Sequence, residues 1–188
     1  EMRLDKPRIA PLAESELGPE HRAMLGERFR SGKILNIFRT LIKAPKAYKA
    51  FMWWGGYILS GHNDLAARER EIIILRTGFN WKSGYEWAQH VRIGKDCGLT
   101  DEEIERIKAG PDAPGWTPVE RAMLQATDEL TSDGHVSDAT WEALSELTEK
   151  QRMDLVLTVG QYSQVSMLLN SFGVQLDDDL VLDPDLTA

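Results

Sequence analysis

The chain has 188 residues, 42% hydrophobic and 28% charged, which suits one compact domain over residues 1–188 and argues against a disordered chain. With 22 Lys and Arg against 30 Asp and Glu, its formal net charge of −8 repels phosphate backbones, and no basic cluster reverses this locally, so nucleic acid is not an expected partner. No stretch approaches the ~20 apolar residues of a membrane-spanning helix. The single cysteine, Cys97, excludes an intramolecular disulfide and a Cys-x-x-Cys redox pair.

The N-terminus EMRLDKPRIAP lacks the basic-then-apolar layout of a signal peptide, so a cytoplasmic protein is expected, with Met2 after Glu1 as its natural start. An irregular, proline-containing arm occupies residues 1–18 and precedes a core over 20–176. From Pro45 to Leu59 large apolar side chains cover one broad helical face. A next helix is expected to start near Asn63 or Asp64, either of which can cap it, and to end in the buried run Ile72-Ile-Ile-Leu75. Further helices are predicted over 83–97, 101–109, 118–132, 138–147 and 149–171. Thr100 with Glu103, Thr117 with Glu120 and Thr148 with Gln151 are spaced as capping boxes, Pro118 fits the first helical turn, and Gly98 and Gly110 follow helix ends. No alternating strand pattern of useful length occurs, so the class is all-α, with about seven to eight helices.

The tail over 177–188 mixes aspartates with leucines. Its spacing lacks the central glycine and terminal glutamate of a calcium loop, and it reads as a solvated acidic segment docked by its leucines.

Polar residues inside core helices are where chemistry is to be sought, because burying them unsatisfied is costly. In Ser83-Gly-Tyr-Glu-Trp-Ala-Gln-His90, helical spacing puts Ser83, Glu86, Trp87 and His90 on one stripe, with Glu86 and His90 at i and i+4. A carboxylate beside an imidazole favours the protonated ring and fixes which nitrogen faces a substrate, as proton transfer near neutral pH requires. The competing reading is an exposed Glu/His pair contributing only ~0.2–0.5 kcal/mol. Tyr85 and Trp87 beside the pair, and Glu71 at the head of the apolar run, favour the functional one.

The stretch LAAREREIIILRTGFNWKSGYEWAQHVRIGKDCGLT, from Leu65 to Thr100, resembles the core of the carboxymuconolactone decarboxylase family, which includes the alkylhydroperoxidase D proteins. The similarity extends through the Thr-Asp-Glu-Glu turn and the linker ending at Trp116, to Val159-Gly-Gln-Tyr162 and Asn170-Ser-Phe-Gly173. It implies an alkylhydroperoxidase D-like helical fold and a homo-oligomer, trimer or hexamer.

In the peroxidase branch the resemblance implies a glutamate, then Cys-x-x-Cys, then a histidine. Glu71 and His90 match the outer two, whereas the cysteine positions hold Ser83 and Glu86, which disables thiol peroxide chemistry. The decarboxylase branch implies Glu-x-x-x-His on this helix, which Glu86 and His90 reproduce, with an upstream carboxylate from Glu69 or Glu71. Glu71, next to the apolar run, is preferred.

On this resemblance the expected function is a decarboxylase, lyase or isomerase acting on an unsaturated lactone or small organic acid, with no metal or organic cofactor. His90 would move the proton, Glu86 orient the ring and Glu71 complete the network; Ser83 and Tyr85 would bind the developing oxyanion, and Trp87 and Tyr162 line the pocket. Arg76 or Arg92 could meet a substrate carboxylate. Three alternatives remain: a metal held by Glu71, Glu86 and His90, residual peroxidase chemistry at Cys97, and a non-catalytic oligomeric binding protein. His21, His62 and His135 read as surface residues, and core packing competes with pocket lining for Tyr162.

Overall fold

A computed structural model describes residues 2–187, so the expectation about Glu1 lies outside the described residues. Among these there are ten α-helices and no strand: α1 Pro19–Leu25, α2 Glu27–Arg30, α3 Asn36–Leu41, α4 Pro45–Ile58, α5 Ala67–Asn80, α6 Gly84–Asp96, α7 Asp101–Ala109, α8 Pro118–Ser132, α9 Asp138–Ala143 and α10 Glu149–Phe172. The all-α class is as expected. The count is higher because the segment before Pro45 forms three short helices that the apolar pattern does not announce. No helix is long and apolar enough to cross a membrane.

α5 sits at the centre and contacts α6, α7, α8 and α10. A helical turn that is apolar on every side must be enclosed, and Ile72, Ile73, Ile74 and Leu75, one such turn of α5, are each fully buried. Ile72 and Leu75 pack with Trp87, Ile104 and Ile107; Ile73 with Met123 and Leu155; and Ile74 with Tyr85, Tyr162 and Val165.

The three threonine caps form as the spacing predicts. The hydroxyls of Thr100, Thr117 and Thr148 accept from the backbone N–H groups of Glu103, Glu120 and Gln151, whose side chains accept in return. α5, in contrast, begins at Ala67 without a side-chain cap. Asn63 is used elsewhere: its carbonyl accepts from Leu65 N–H and its amide donates to Ile58 O and Thr158 Oγ1, which closes a turn rather than opening a helix. The apolar run also falls mid-helix, not at its end. α9 stops at Ala143, and the residues up to 147 turn the chain so that Thr148 can adopt the extended conformation of a cap.

The acidic tail is more tightly held than a solvated segment. Asp177 accepts from Asn36 N–H, Tyr85 Oη–H and Gln89 Nε2–H, while Asp183 and Asp185 flank the Lys108 ammonium. Leu186 is buried, and a Cβ on Gly84 would collide with Leu182, so the tail is fitted to the start of α6.

Gly160, exposed within α10, has open space around its missing Cβ. Gly160→Ala is therefore expected to raise stability by roughly 0.5–1 kcal/mol through helix propensity alone, read as a higher urea midpoint at unchanged slope.

Candidate active site

α5 and α6 form a tight helical hairpin. Lys82 takes a left-handed conformation at φ 50°, and Asn170 Nδ2–H donates to Trp81 O at 2.9 Å, tying the turn to α10. The helices approach at Gly78, where an added Cβ would stand 3.2 Å from Glu86 Cγ. That closeness brings Glu71 of α5 against α6.

His90 is clamped between two carboxylates. Its Nδ1 lies 2.7 Å from Glu71 Oε2 and its Nε2 3.0 Å from Glu86 Oε1. All three side chains are buried, at 1%, 3% and 6% exposure for Glu71, Glu86 and His90. As a carboxylate Glu71 only accepts, so Nδ1 carries a hydrogen and Nε2 is the nitrogen left for chemistry. The Glu86 contact is an ion-pair distance without hydrogen-bond alignment, and Oε1 has no hydrogen-bond partner among the described residues.

Burial pushes the Glu86 carboxyl up to about 7; His90 draws it down and Glu71 adds to the rise. For His90 burial favours the neutral ring, but the fields of Glu86 and Glu71 and the Glu71 hydrogen bond outweigh it, and its pKa is raised. A carboxyl poised near neutrality beside a stabilised imidazolium is the pairing that acid–base chemistry requires.

The cluster opens on a cavity of about 300 Å³ between α3, α4, α6 and α10, walled by Ile37, Phe38, Phe51, Met52 and Val165 and reached by Tyr85, Glu86, Gln89, His90, Gln161 and Tyr162. Arg28 borders it, the single Lys or Arg among the described lining residues, with its guanidinium 4.7 Å from the centre of the Phe38 ring. Larger depressions of about 410 and 700 Å³ lie along the tail, and neither includes His90.

The sequence-predicted residues divide. Glu71, Glu86, His90 and Tyr162 come together, with the Tyr162 and His90 rings edge-to-face at 4.9 Å between centroids. Glu71, not Glu69, meets the histidine; Glu69 lies beside Arg68.

Ser83 and Trp87 are corrected. At about 100° per residue, the stripe facing the cavity is Glu86, Gln89, His90 and Ile93, and Trp87 lies a quarter-turn away. Trp87 instead packs with Phe79, Leu182 and Leu186, and Ser83 is fully buried beyond the cavity with an unpartnered hydroxyl. Tyr85 borders the cavity, but its hydroxyl is committed to Asp177 at 2.6 Å, so it is not a free oxyanion donor.

Neither proposed cation reaches the site. Arg76 holds Asp128 and the end of α7, and Arg92 pairs with Asp179. The arginine that borders the cavity is Arg28. His62 and His135 are exposed, whereas the His21 ring accepts from Gly18 N–H at the start of α1.

Both nitrogens of His90 already face carboxylates, and no cluster of three or more side chains among the described residues is arranged for a metal ion. Cys97 is half-buried at the end of α6, where burial pushes its thiol up and so disfavours the thiolate. Sequence reasoning passed over Gln161, although a glutamine in the apolar run of α10 was a visible signal.

The model of the carboxymuconolactone decarboxylase family matches residues 45–129, from the first residue of α4 into α8, which bears out the resemblance over Leu65 to Thr100 and the linker to Trp116; Val159 to Tyr162 and Asn170 to Gly173 lie outside the match. No curated protein matches the chain. Among solved structures it is similar to an uncharacterized peroxidase-related protein from Ralstonia eutropha with an alkylhydroperoxidase AhpD core, at 21% identity and TM-score 0.75 over 91% of this chain and 94% of that one. It is also similar to a protein of unknown function from Agrobacterium tumefaciens, at 21% identity and TM-score 0.69 over 74% and 96%. A third is a cysteine-to-alanine variant of the debrominase Bmp8 in complex with 2,3,4-tribromopyrrole, at 14% identity and TM-score 0.74 over 93% and 94%. At these identities the likeness establishes an AhpD-like fold.

Proposed function

We propose, from a segment that belongs to the carboxymuconolactone decarboxylase family and from the buried Glu71–His90–Glu86 cluster, that the chain is an acid–base enzyme, a decarboxylase or isomerase acting on a small unsaturated lactone or organic acid. The observation that carries this reading is an imidazole fixed between two carboxyls on the wall of an apolar cavity. A cavity of about 300 Å³ suits a ligand of one or two rings. The small ring bound in the debrominase structure, on a similar fold, agrees with that size.

In decarboxylation the carbon–carbon bond to the carboxylate breaks, carbon dioxide leaves, and the electron pair moves into the conjugated carbonyl as a dienolate. His90 then supplies a proton to carbon from Nε2 while Glu71 holds Nδ1 and fixes the ring. Glu86, poised near neutrality, passes the replacement proton to the imidazole. Arg28 at the border is placed for a substrate carboxylate, and the aromatic wall excludes water from the dienolate.

The test is a screen of unsaturated lactone acids for carbon dioxide release, with deuterium uptake from D2O at the protonated carbon as the second readout. The expected result is a member of this class that turns over and gains solvent deuterium. Carbon dioxide release with no deuterium in the product would exclude solvent-derived protonation, and no turnover across the class would remove the substrate assignment.

A further inference from the structure

Gln161 and Tyr162 present the cavity's spare hydrogen-bonding groups. Both line the cavity, at 4% and 5% exposure, and neither side chain is hydrogen-bonded to another described residue. Their polar atoms are not sealed into the core but reach the cavity, so a bound ligand can pair groups that no protein side chain uses.

Both groups border the imidazole's space. The Gln161 amide lies over α4 where Gly55 has no side chain, with Nε2 3.8 Å from where a Cβ would stand. Tyr162 meets the His90 ring edge-to-face. Burial first, then the nearby Glu86 and Glu71, hold the phenol well above its ordinary pKa, so it remains a donor at working pH.

We infer that Gln161 Nε2–H and Tyr162 Oη–H are the oxyanion donors of this site, meeting the carbonyl oxygen of the conjugated ligand already proposed. The assignment rests on the acid–base reading of His90. As the bond to the departing carboxylate breaks, its electron pair moves through the conjugated system to the carbonyl oxygen, and the two donors hold the resulting O⁻. The pair then returns as a carbon–hydrogen bond forms with the proton from His90, and the carbonyl is restored. Neutral donors suit this step because they stabilise charge that develops in the transition state without neutralising the neighbouring carboxyls.

The experiment uses the full chain and two bicyclic probes, coumarin, an unsaturated lactone, and naphthalene, which has no carbonyl, with affinities read by calorimetry or ligand NMR. Gln161→Leu and Tyr162→Phe are each expected to weaken coumarin roughly three- to tenfold, as for loss of one neutral hydrogen bond, and to leave naphthalene unchanged or tighter. Naphthalene thus reports that the cavity has folded. Coumarin affinity unchanged in both variants, equal losses for both probes, or no coumarin binding by the unaltered chain would overturn the assignment. His90→Gln separates the two readings. Deuterium uptake persisting in that variant, with the coumarin effect at Gln161 intact, would sink the acid–base reading and leave the carbonyl site standing.

Discussion

His90→Gln is expected to lower turnover of the protein's substrate by about 10²–10⁴-fold, the range associated with removing a positioned general acid or base. Glutamine can still donate an N–H towards Glu71, but it cannot carry a transferable proton. The cluster then has two buried carboxyls without their shared cation, and it can stay folded by holding a proton between them. Far-ultraviolet circular dichroism should therefore match that of the unaltered chain. Under saturating substrate, a variant that keeps more than a tenth of the original kcat would show that the imidazole does not move the proton.

Glu86→Gln carries the largest expected effect on stability and on its pH dependence. The folded-state carboxyl titrates at about 7 and the ordinary value is 4.5. A carboxyl whose pKa is raised on folding binds its proton more tightly in the folded state. Its contribution is therefore fully present below about pH 4.5 and lost as pH rises through about 7. At ~1.4 kcal/mol per pH unit, the difference corresponds to about 3 kcal/mol of lost stability between these limits. The raised His90 pKa acts in the same direction. Unfolding free energies from urea titrations at pH 5 and pH 8 should thus fall for the unaltered chain and fall much less for Glu86→Gln, which is expected to be the more stable protein at pH 8. Parallel pH profiles would mean that Glu86 is not the group responsible. The same substitution should flatten the alkaline limb of any activity profile, since the carboxyl that resupplies the imidazole has gone.

Stability spent on burying these charges is a sign of use. A buried ion cluster can often be replaced by apolar side chains of similar volume with little loss to folding, yet here Glu86 and His90 reach a cavity, backed by the fully buried Glu71. The C-terminal tail contributes to this arrangement from a distance. Asp177 engages Tyr85 and Gln89, one turn apart on α6, and so holds the face that carries Glu86 and His90 in register with α3.

Much of the architecture was readable from local chemistry. Capping boxes and the proline and glycine positions placed α7, α8 and α10 within a residue or so, because a cap and its partner are only three positions apart. The Glu86–His90 pair was readable for the same reason. The unsignalled helices α1 to α3 are too short for an apolar period to show, and Asn63, a good cap by type, was drawn into a turn by its contacts with Ile58 and Thr158. Tyr85 looked like a free donor until Asp177, on the tail, took its hydroxyl.

Residue order by itself determined the helical class, the carboxyl–imidazole spacing and the absence of a Cys-x-x-Cys pair, because each depends on residue types and on separations within one helix. Tertiary packing decided which side of α6 faces the cavity and so turned Trp87 away from it, left Ser83 buried beyond its end, set Glu71 and not Glu69 against His90, and placed Gln161 and Arg28 at its wall. The first turns of α6 are buried on every side, so polarity along the sequence carries no mark of which side encloses space. That depends on what α4, α5 and α10 place around it, across gaps in the chain that no local pattern spans.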